Sequence, residues 1–268
     1  MRLLRSLAAL LLLLALPLWA GVDINNSAQI LNGNSIPGHF PMTVGGWINL
    51  YAVATDGDGL LNSGDFGGGV GSGWMLHATD TYNGCSGQIT FVKGGSTGGG
   101  ATDAVLCSGK SLPLNVWTFV AAVVTSTQVH FVTITASGTL TSANVSDTNA
   151  FTTENSPGTG VGSSVHISTP VFLAHGTVAN VFVYGTVALS DAQLKAFARF
   201  GPRGVSGPVS RFWPLYSIAS TTVPKTFGEY SGNNNETSTS TTTNLQLLTG
   251  TALNANHCPC ADPWNYHH

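Results

Sequence analysis

"NVFVYGTVALSDAQLKAFARFGP", residues 180–202, runs an alternating strand pattern straight into the one convincing helix signal of the chain. Ser190 is a good N-cap, and Gln193 three residues later completes a capping box. Leu189 before the cap and Leu194 after it are spaced as a hydrophobic staple, while Gly201 and Pro202 supply stop signals. Leu194, Phe197 and Ala198 fall on one face. That stripe seats a short helix on something larger but is too narrow for a freestanding element.

What it sits on is read from the preceding 160 residues. "HFPMTVGGWINLYAV", "GWMLHAT", "GQITFVKGG", "DAVLCSG", "WTFVAAVV", "VHFVTIT", "VHIS", "VFLAHGT" and "NVFVYGTV" are short β-like runs. Between them lie "GDFGGGVGSG", "GGSTGGG" and "TTENSPGTGVG", which read as loops by composition. Strands at this density without intervening helices predict an all-β fold, a sandwich of two packed antiparallel sheets, with one short helix near 190–200.

Composition agrees. Only 8% of the 268 residues are charged, with 33 Gly, against about 25% charged in ordinary globular proteins. Arg2 and Arg5 precede the apolar run "LAALLLLLALPLWA", so residues 1–20 read as a secretory signal ending at Ala20, and the mature chain is expected to be secreted. The remaining seven basic residues face twelve acidic ones. A formal charge of −5 argues against nucleic acid and anionic membranes as partners.

A family resemblance becomes specific at these motifs. "VANVFVYGTVALSDAQLKAFARFGP" resembles the closing signature of laminin G-like domains in the concanavalin A-like lectin/glucanase superfamily. "FPMTVGGWINL" and "LNVWTFVAAVV" followed by "VHFVTITASGTL" resemble earlier strands of that family, in family order. The resemblance implies a jelly-roll over residues 21–201. Members often carry acidic residues before the last strand, some of which help hold calcium; here Ala179 and Asn180 stand there. The segment "SRFWPLYSIASTTVPKTFGEYSGNNNETS" resembles the opening of such modules yet follows the helix. Residues 202–268 are therefore read as an extension wrapping back onto the sandwich, which would shelter Phe212, Trp213, Leu215 and Tyr216, with a truncated second module as the alternative.

Catalysis finds little support. Jelly-roll glucanases place two carboxylates about 5 Å apart from alternating positions of one strand, whereas this chain has three Glu, at 154, 229 and 236, and no E-x-D-x-E pattern. No G-x-S-x-G elbow or H-E-x-x-H helix occurs. The best metal candidate is "TDGDGLLNSGD", residues 55–65, where Asp56, Asp58, Asn62 and Asp65 could offer oxygens to calcium; the competing reading is a solvated Asp-Gly turn. The tail "NHCPCADPWNYHH" gathers His257, Cys258, Cys260, His267 and His268, a set that could hold a soft metal or cross-link chains.

Cys85 and Cys107 are expected to form a disulfide. "QITFV" and "DAVLC" flank the Gly-rich "KGGSTGGG", and a hairpin centred near residue 96 sets position 85 opposite position 107. Competing pairings run from either Cys to 258 or 260.

These readings leave a non-catalytic secreted recognition module for glycan or another surface ligand, with Trp74, Tyr82 and Trp264 as aromatic stacking candidates. The alternative is an architectural or adhesin component of a cell surface, matrix or phage-like particle, for which self-association is the expected partner mode. A glycoside hydrolase ranks third.

Overall fold

β-branched and aromatic residues fill the runs between the Gly- and Asn-rich loops, and nearly every run becomes a strand. In a computed structural model the described residues are 22–25, 30–32, 36–54, 57–67, 70–81, 84–94, 103–151, 158–162, 164–166, 169–171, 174–207, 209–213 and 215, with three short strands beyond. The elements are β1 (Val22–Asn25), β2 (Ile30–Asn32), β3 (Met42–Leu50), β4 (Asp58–Gly67), β5 (Val70–Asp80), β6 (Gln88–Lys93), β7 (Ala104–Ser111), β8 (Thr118–Val124), β9 (Gln128–Thr135), β10 (Leu140–Ser146), β11 (Thr159–Val161), β12 (Ser164–His166), β13 (Thr169–Val171) and β14 (His175–Tyr184). Helix α1 (Asp191–Phe200) follows, then β15 (Arg211–Trp213), β16 (Lys225–Gly228), β17 (Thr237–Ser240) and β18 (Gln246–Leu247). The proposed signal, residues 1–20, and the Cys258 and Cys260 tail lie outside the described residues.

The strands form two antiparallel sheets. Sheet A has the order β10-β9-β8-β3-β14-β1-β18, with β15 also on β14, and sheet B the order β16-β17-β2-β11-β4-β5-β6-β7. Strands β12 and β13 form a separate hairpin. Between the sheets lies a core in which Val44, Ile48, Val120, Phe131, Val178, Val181 and Val183 of sheet A belong to one cluster with Leu61, Trp74, Leu76, Ile89 and Phe91 of sheet B. Sheet A is also apolar on its other face. There Trp47, Phe119, Ala121, Phe182 and Tyr184 pack beneath Leu194, Phe197 and Ala198 of α1.

Helix α1 is held as its sequence demands. Gln193 N donates to Ser190 Oγ and Ser190 N to Gln193 Oε1, closing the capping box. Gly201 takes φ +62 at the C-cap, a left-handed conformation that costs glycine little. Phe197 lies 4.0 Å from Phe182 between ring centroids, and Trp47 Nε1 donates to Ala198 O at the end of the helix. Beyond α1 the chain returns to sheet A: β15 pairs with β14 through Phe182↔Phe212, placing Phe212 under the helix and Trp213 in the sandwich core, where Leu215 joins it.

Cys85 is bonded to Cys107 with Cα atoms 5.4 Å apart. The register expected for the β6–β7 hairpin is corrected, because Cys107 pairs with Thr90, not with position 85. Cys85 instead sits in the turn before β6, where Ser86 and Gly87 take φ +51 and +75, Gly87 N donates to Asp80 O and Gln88 N to Cys85 O. That turn returns Cys85 to the strand bearing Cys107.

Two stability outcomes follow from this packing. Cys85→Ala/Cys107→Ala releases the constraint on a loop with sequence separation 22 and is expected to lower unfolding free energy by about 3 kcal/mol on the chain-entropy account; urea melts matching those of the parent would contradict it. Burial pushes the Tyr184 phenol from 10.0 up to about 12, and its hydroxyl has no hydrogen-bond partner. Stability contributed by keeping it neutral is present below pH 10, where unfolded tyrosine begins to ionise, and is lost as pH rises through about 12. Tyr184→Phe should remove that alkaline loss and leave stability at neutral pH equal or higher; a marked loss at pH 7 would show that the hydroxyl is bonded.

Candidate functional site

The sandwich has two ends. At one, β3, β5 and β7 finish while β4, β6, β8 and β14 begin, so the described residues 51–54, 57, 81, 84–87 and 112–117 lie at the same end as His175. At the other, β6 and β10 finish beside the segments 36–41 and 147–151.

Asp58, fully buried, organises the first end. Its Oδ2 accepts from Ala54 N at 3.0 Å and from Thr79 Oγ1 at 2.5 Å; its Oδ1 accepts from His175 N at 2.9 Å and lies 3.1 Å from His175 Nδ1. A carboxylate offers about four lone-pair sites, and all four are engaged here. The carboxylate thereby ties the 51–57 segment to β5 and to the first residue of β14. Tyr51 N donates to His175 O, the Tyr51 hydroxyl bonds Thr177 Oγ1, and Asn115 N donates to Leu50 O, which draws 112–117 against the same edge. On this frame Val53, Leu114 and Val116 are 44%, 43% and 42% exposed, beside half-buried Tyr51 and His175. The rim is thus apolar at its surface and rigidly hydrogen-bonded beneath.

The opposite end is closed by a buried cation. Lys93 Nζ pairs with Asp147 and donates to Asn149 O, with Phe40 and Phe151 ring centroids 5.0 and 5.3 Å away. Lys93 and Asp147 are both buried. The pair fastens segment 147–151 to the end of β6 and the aromatic rings close over it.

Several sequence-expected site residues are placed elsewhere. Residues 58–67 are not a turn but β4, paired with β5 from Asp58↔Thr79 to Gly67↔Val70. A strand advances about 3.3 Å per residue, so Asp58 and Asp65 stand roughly 20 Å apart along β4, whereas calcium ligands lie about 2.3 to 2.6 Å from one ion. Asp58, Asn62 and Asp65 therefore cannot converge on a single calcium. Asn62 is buried, with Nδ2 donating to Gly64 O. The Asp65 side chain, Asp56, Tyr82 and Trp264 lie outside the described residues, as do Glu154, Glu229 and Glu236. Trp74 is corrected from ligand platform to core: it is fully buried, stacks on Phe91 at 6.3 Å and donates Nε1 to Ile36 O. Asn180, at the position where acidic residues were sought, is also buried. Sequence reading missed the Asp58–His175 and Lys93–Asp147 pairs, whose partners are more than fifty residues apart; a lone Lys or Asp inside an apolar strand was the signal available.

Asp58→Ala strips the acceptor from four donors, and the expected cost is about 3 kcal/mol, read as a fall in Tm that is equal in calcium and in chelator. A loss seen only in calcium would restore Asp58 as an ion ligand.

No protein-family model matches the chain, and no curated protein matches it. Among solved structures, a candidate carbohydrate binding protein from Bacteroides ovatus is similar over 87% of the chain at a TM-score of 0.61 and 15% identity; the chain spans 60% of that protein's length. A sialidase CBM40 from Ruminococcus gnavus (TM-score 0.49, 17% identity, 66% of this chain and 95% of that one) and domains LG4-5 of the mouse laminin alpha1 chain (TM-score 0.42, 11% identity, 64% and 42%) are more distant likenesses. Two antiparallel sheets, one of them covered by a capped helix, make this a jelly-roll sandwich, and the likeness to the Bacteroides ovatus protein over 87% of the chain is a likeness of that fold.

Proposed function

We propose that the chain is a secreted, non-catalytic recognition module that binds glycan or another surface ligand at the rim around His175. The observation that carries the reading is the build of this rim: Val53, Leu114 and Val116 are exposed on segments whose backbone is pinned by Asp58 and by the Asn115 to Leu50 bond. A surface preorganised in this way loses little conformational freedom on binding. The Bacteroides ovatus protein of the same fold is described as carbohydrate binding, which favours a saccharide; half-buried Tyr51 supplies a ring for it.

The non-catalytic half of the reading is supported by how carboxylates are used. Asp58 is saturated by four contacts, Asp147 pairs with Lys93, Asp191 with His130, and Asp80 lies against His77. Asp58, Asp80 and Asp147 are buried against these partners and Asp191 lies at the half-exposed start of α1, whereas a retaining or inverting glycosidase needs two carboxylates facing one open cleft.

A glycan array run with calcium and with chelator tests the proposal. A reproducible hit is expected, lost at least tenfold in Leu114→Ser/Val116→Ser, which alters two exposed side chains and leaves the fold intact. Silence across the array together with ordered self-association would favour the architectural reading instead.

A further inference from the structure

The closed end of the sandwich holds a pair of reactive groups that the recognition reading does not use. Lys93 is the last residue of β6 in sheet B, and Asp147 directly follows β10, the edge strand of sheet A. Their side chains meet where the two sheets end, 1% and 0% exposed. Asp147 is held from its backbone as well, its N donating to Thr127 O at 2.9 Å.

One residue grips both groups. Asn149 N and Asn149 Nδ2 donate to Asp147 Oδ1 at 2.9 and 2.8 Å, and Asn149 O accepts from Lys93 Nζ. With Oδ1 engaged twice, Asp147 Oδ2 is left buried, without a hydrogen-bond partner, facing the Lys93 ammonium. The Phe40 and Phe151 rings, 4.8 Å apart between centroids, stand beside Nζ. An amine and a carboxyl group are thus fixed in contact at a dry site. Two N–H donors are aimed at the carboxyl oxygen that gains charge when its carbon is attacked.

From this arrangement we propose that Lys93 and Asp147 condense into an intramolecular isopeptide bond that staples sheet B to sheet A. A proton passes from Nζ to Oδ2, the freed Nζ lone pair attacks Asp147 Cγ, and negative charge collects on Oδ1, where the two Asn149 donors stabilise it. A second proton moves from the nitrogen to Oδ2, the Cγ–Oδ2 bond breaks, the carbonyl reforms at Oδ1 and one water leaves. The step consumes no oxidant, reductant or co-reactant. Burial favours it, because a charged pair held out of water carries a desolvation cost for each ion and the neutral amide removes both. Exclusion of water by the surrounding rings opposes the return hydrolysis. The bond lies at the end away from His175 and does not rest on the recognition reading.

The mass of the purified parent chain, unfolded and with the Cys85–Cys107 bond reduced, tests the proposal. It is expected to fall one water short of the mass its sequence requires. Trypsin cuts after a free lysine and not after an amidated one, so the digest should show no cleavage at Lys93 and should contain a branched peptide carrying both Lys93 and Asp147. Asp147→Ala is expected to have its full mass and to be cut at Lys93, a readout that does not require the variant to fold. Asn149→Ala keeps both reacting groups and should accumulate the branched peptide on the order of a hundredfold more slowly after synthesis, the usual loss for one oxyanion donor; accumulation at the parent rate would take the Asn149 side chain out of the chemistry. A parent chain of full mass, cut at Lys93, overturns the proposal.

Discussion

One extra residue in β14 governs how sheet A is built. Ala179 pairs with Trp47 and Phe182 with Gly45, so Asn180 and Val181 together oppose Gly46. Asn180 takes φ +48 to make this bulge. Side chains alternate faces along a strand, and an unbulged β14 would send Val181 and Val183 toward the helix and Phe182 and Tyr184 into the sandwich. With the bulge, the valines remain between the sheets and the aromatics lie under α1. Gly46 is part of the same device, because a Cβ there would lie 2.9 Å from Val181 Cγ2 and 3.1 Å from its Cα. The buried Asn180 side chain finds no hydrogen-bond partner, a local cost tolerated because the phase of four core residues depends on it.

Double-sided burial of sheet A also explains why an all-β chain carries a helix. The outer rows of Trp47, Phe119, Phe182 and Tyr184 need a cover, and a ten-residue amphipathic helix with one apolar stripe supplies it. This part of the fold was legible in the sequence, since the cap, staple and stop residues of α1 are local signals that packing did not need to override. The run "WTFVAAVV" was likewise legible as a strand, and the structure adds that β8 is buried along its whole length.

What was not legible depended on long-range partners. "TDGDGLLNSGD" has turn dipeptides and polar side chains, yet most of it is a strand because Asp58 is stabilised by donors from Ala54, Thr79 and His175 that a local reading does not see. Gly64 and Gly73, read as loop glycines, are cross-strand partners; a Cβ on either would fall 1.9 or 2.1 Å from the other strand's carbonyl oxygen. The disulfide was found through the right pair of cysteines but the wrong register, because spacing from a hairpin centre ignores the turn that folds Cys85 back over the sheet. Trp74 misled for a related reason: indole is as good a core filler as a sugar platform, and only its partner Ile36 distinguishes the two.

The contrast between the two ends of the sandwich carries the functional argument further than any single residue. At the Lys93 end, taking an ammonium and a carboxylate out of water is offset by their pairing, by a backbone carbonyl and by two aromatic faces. Breaking that arrangement to admit a ligand would leave a buried charge unpaired, so the described residues there are committed to closure. At the His175 end the buried carboxylate lies one layer below the surface and is fully satisfied by the protein. Its outer layer can therefore contact a ligand without disturbing any buried charge.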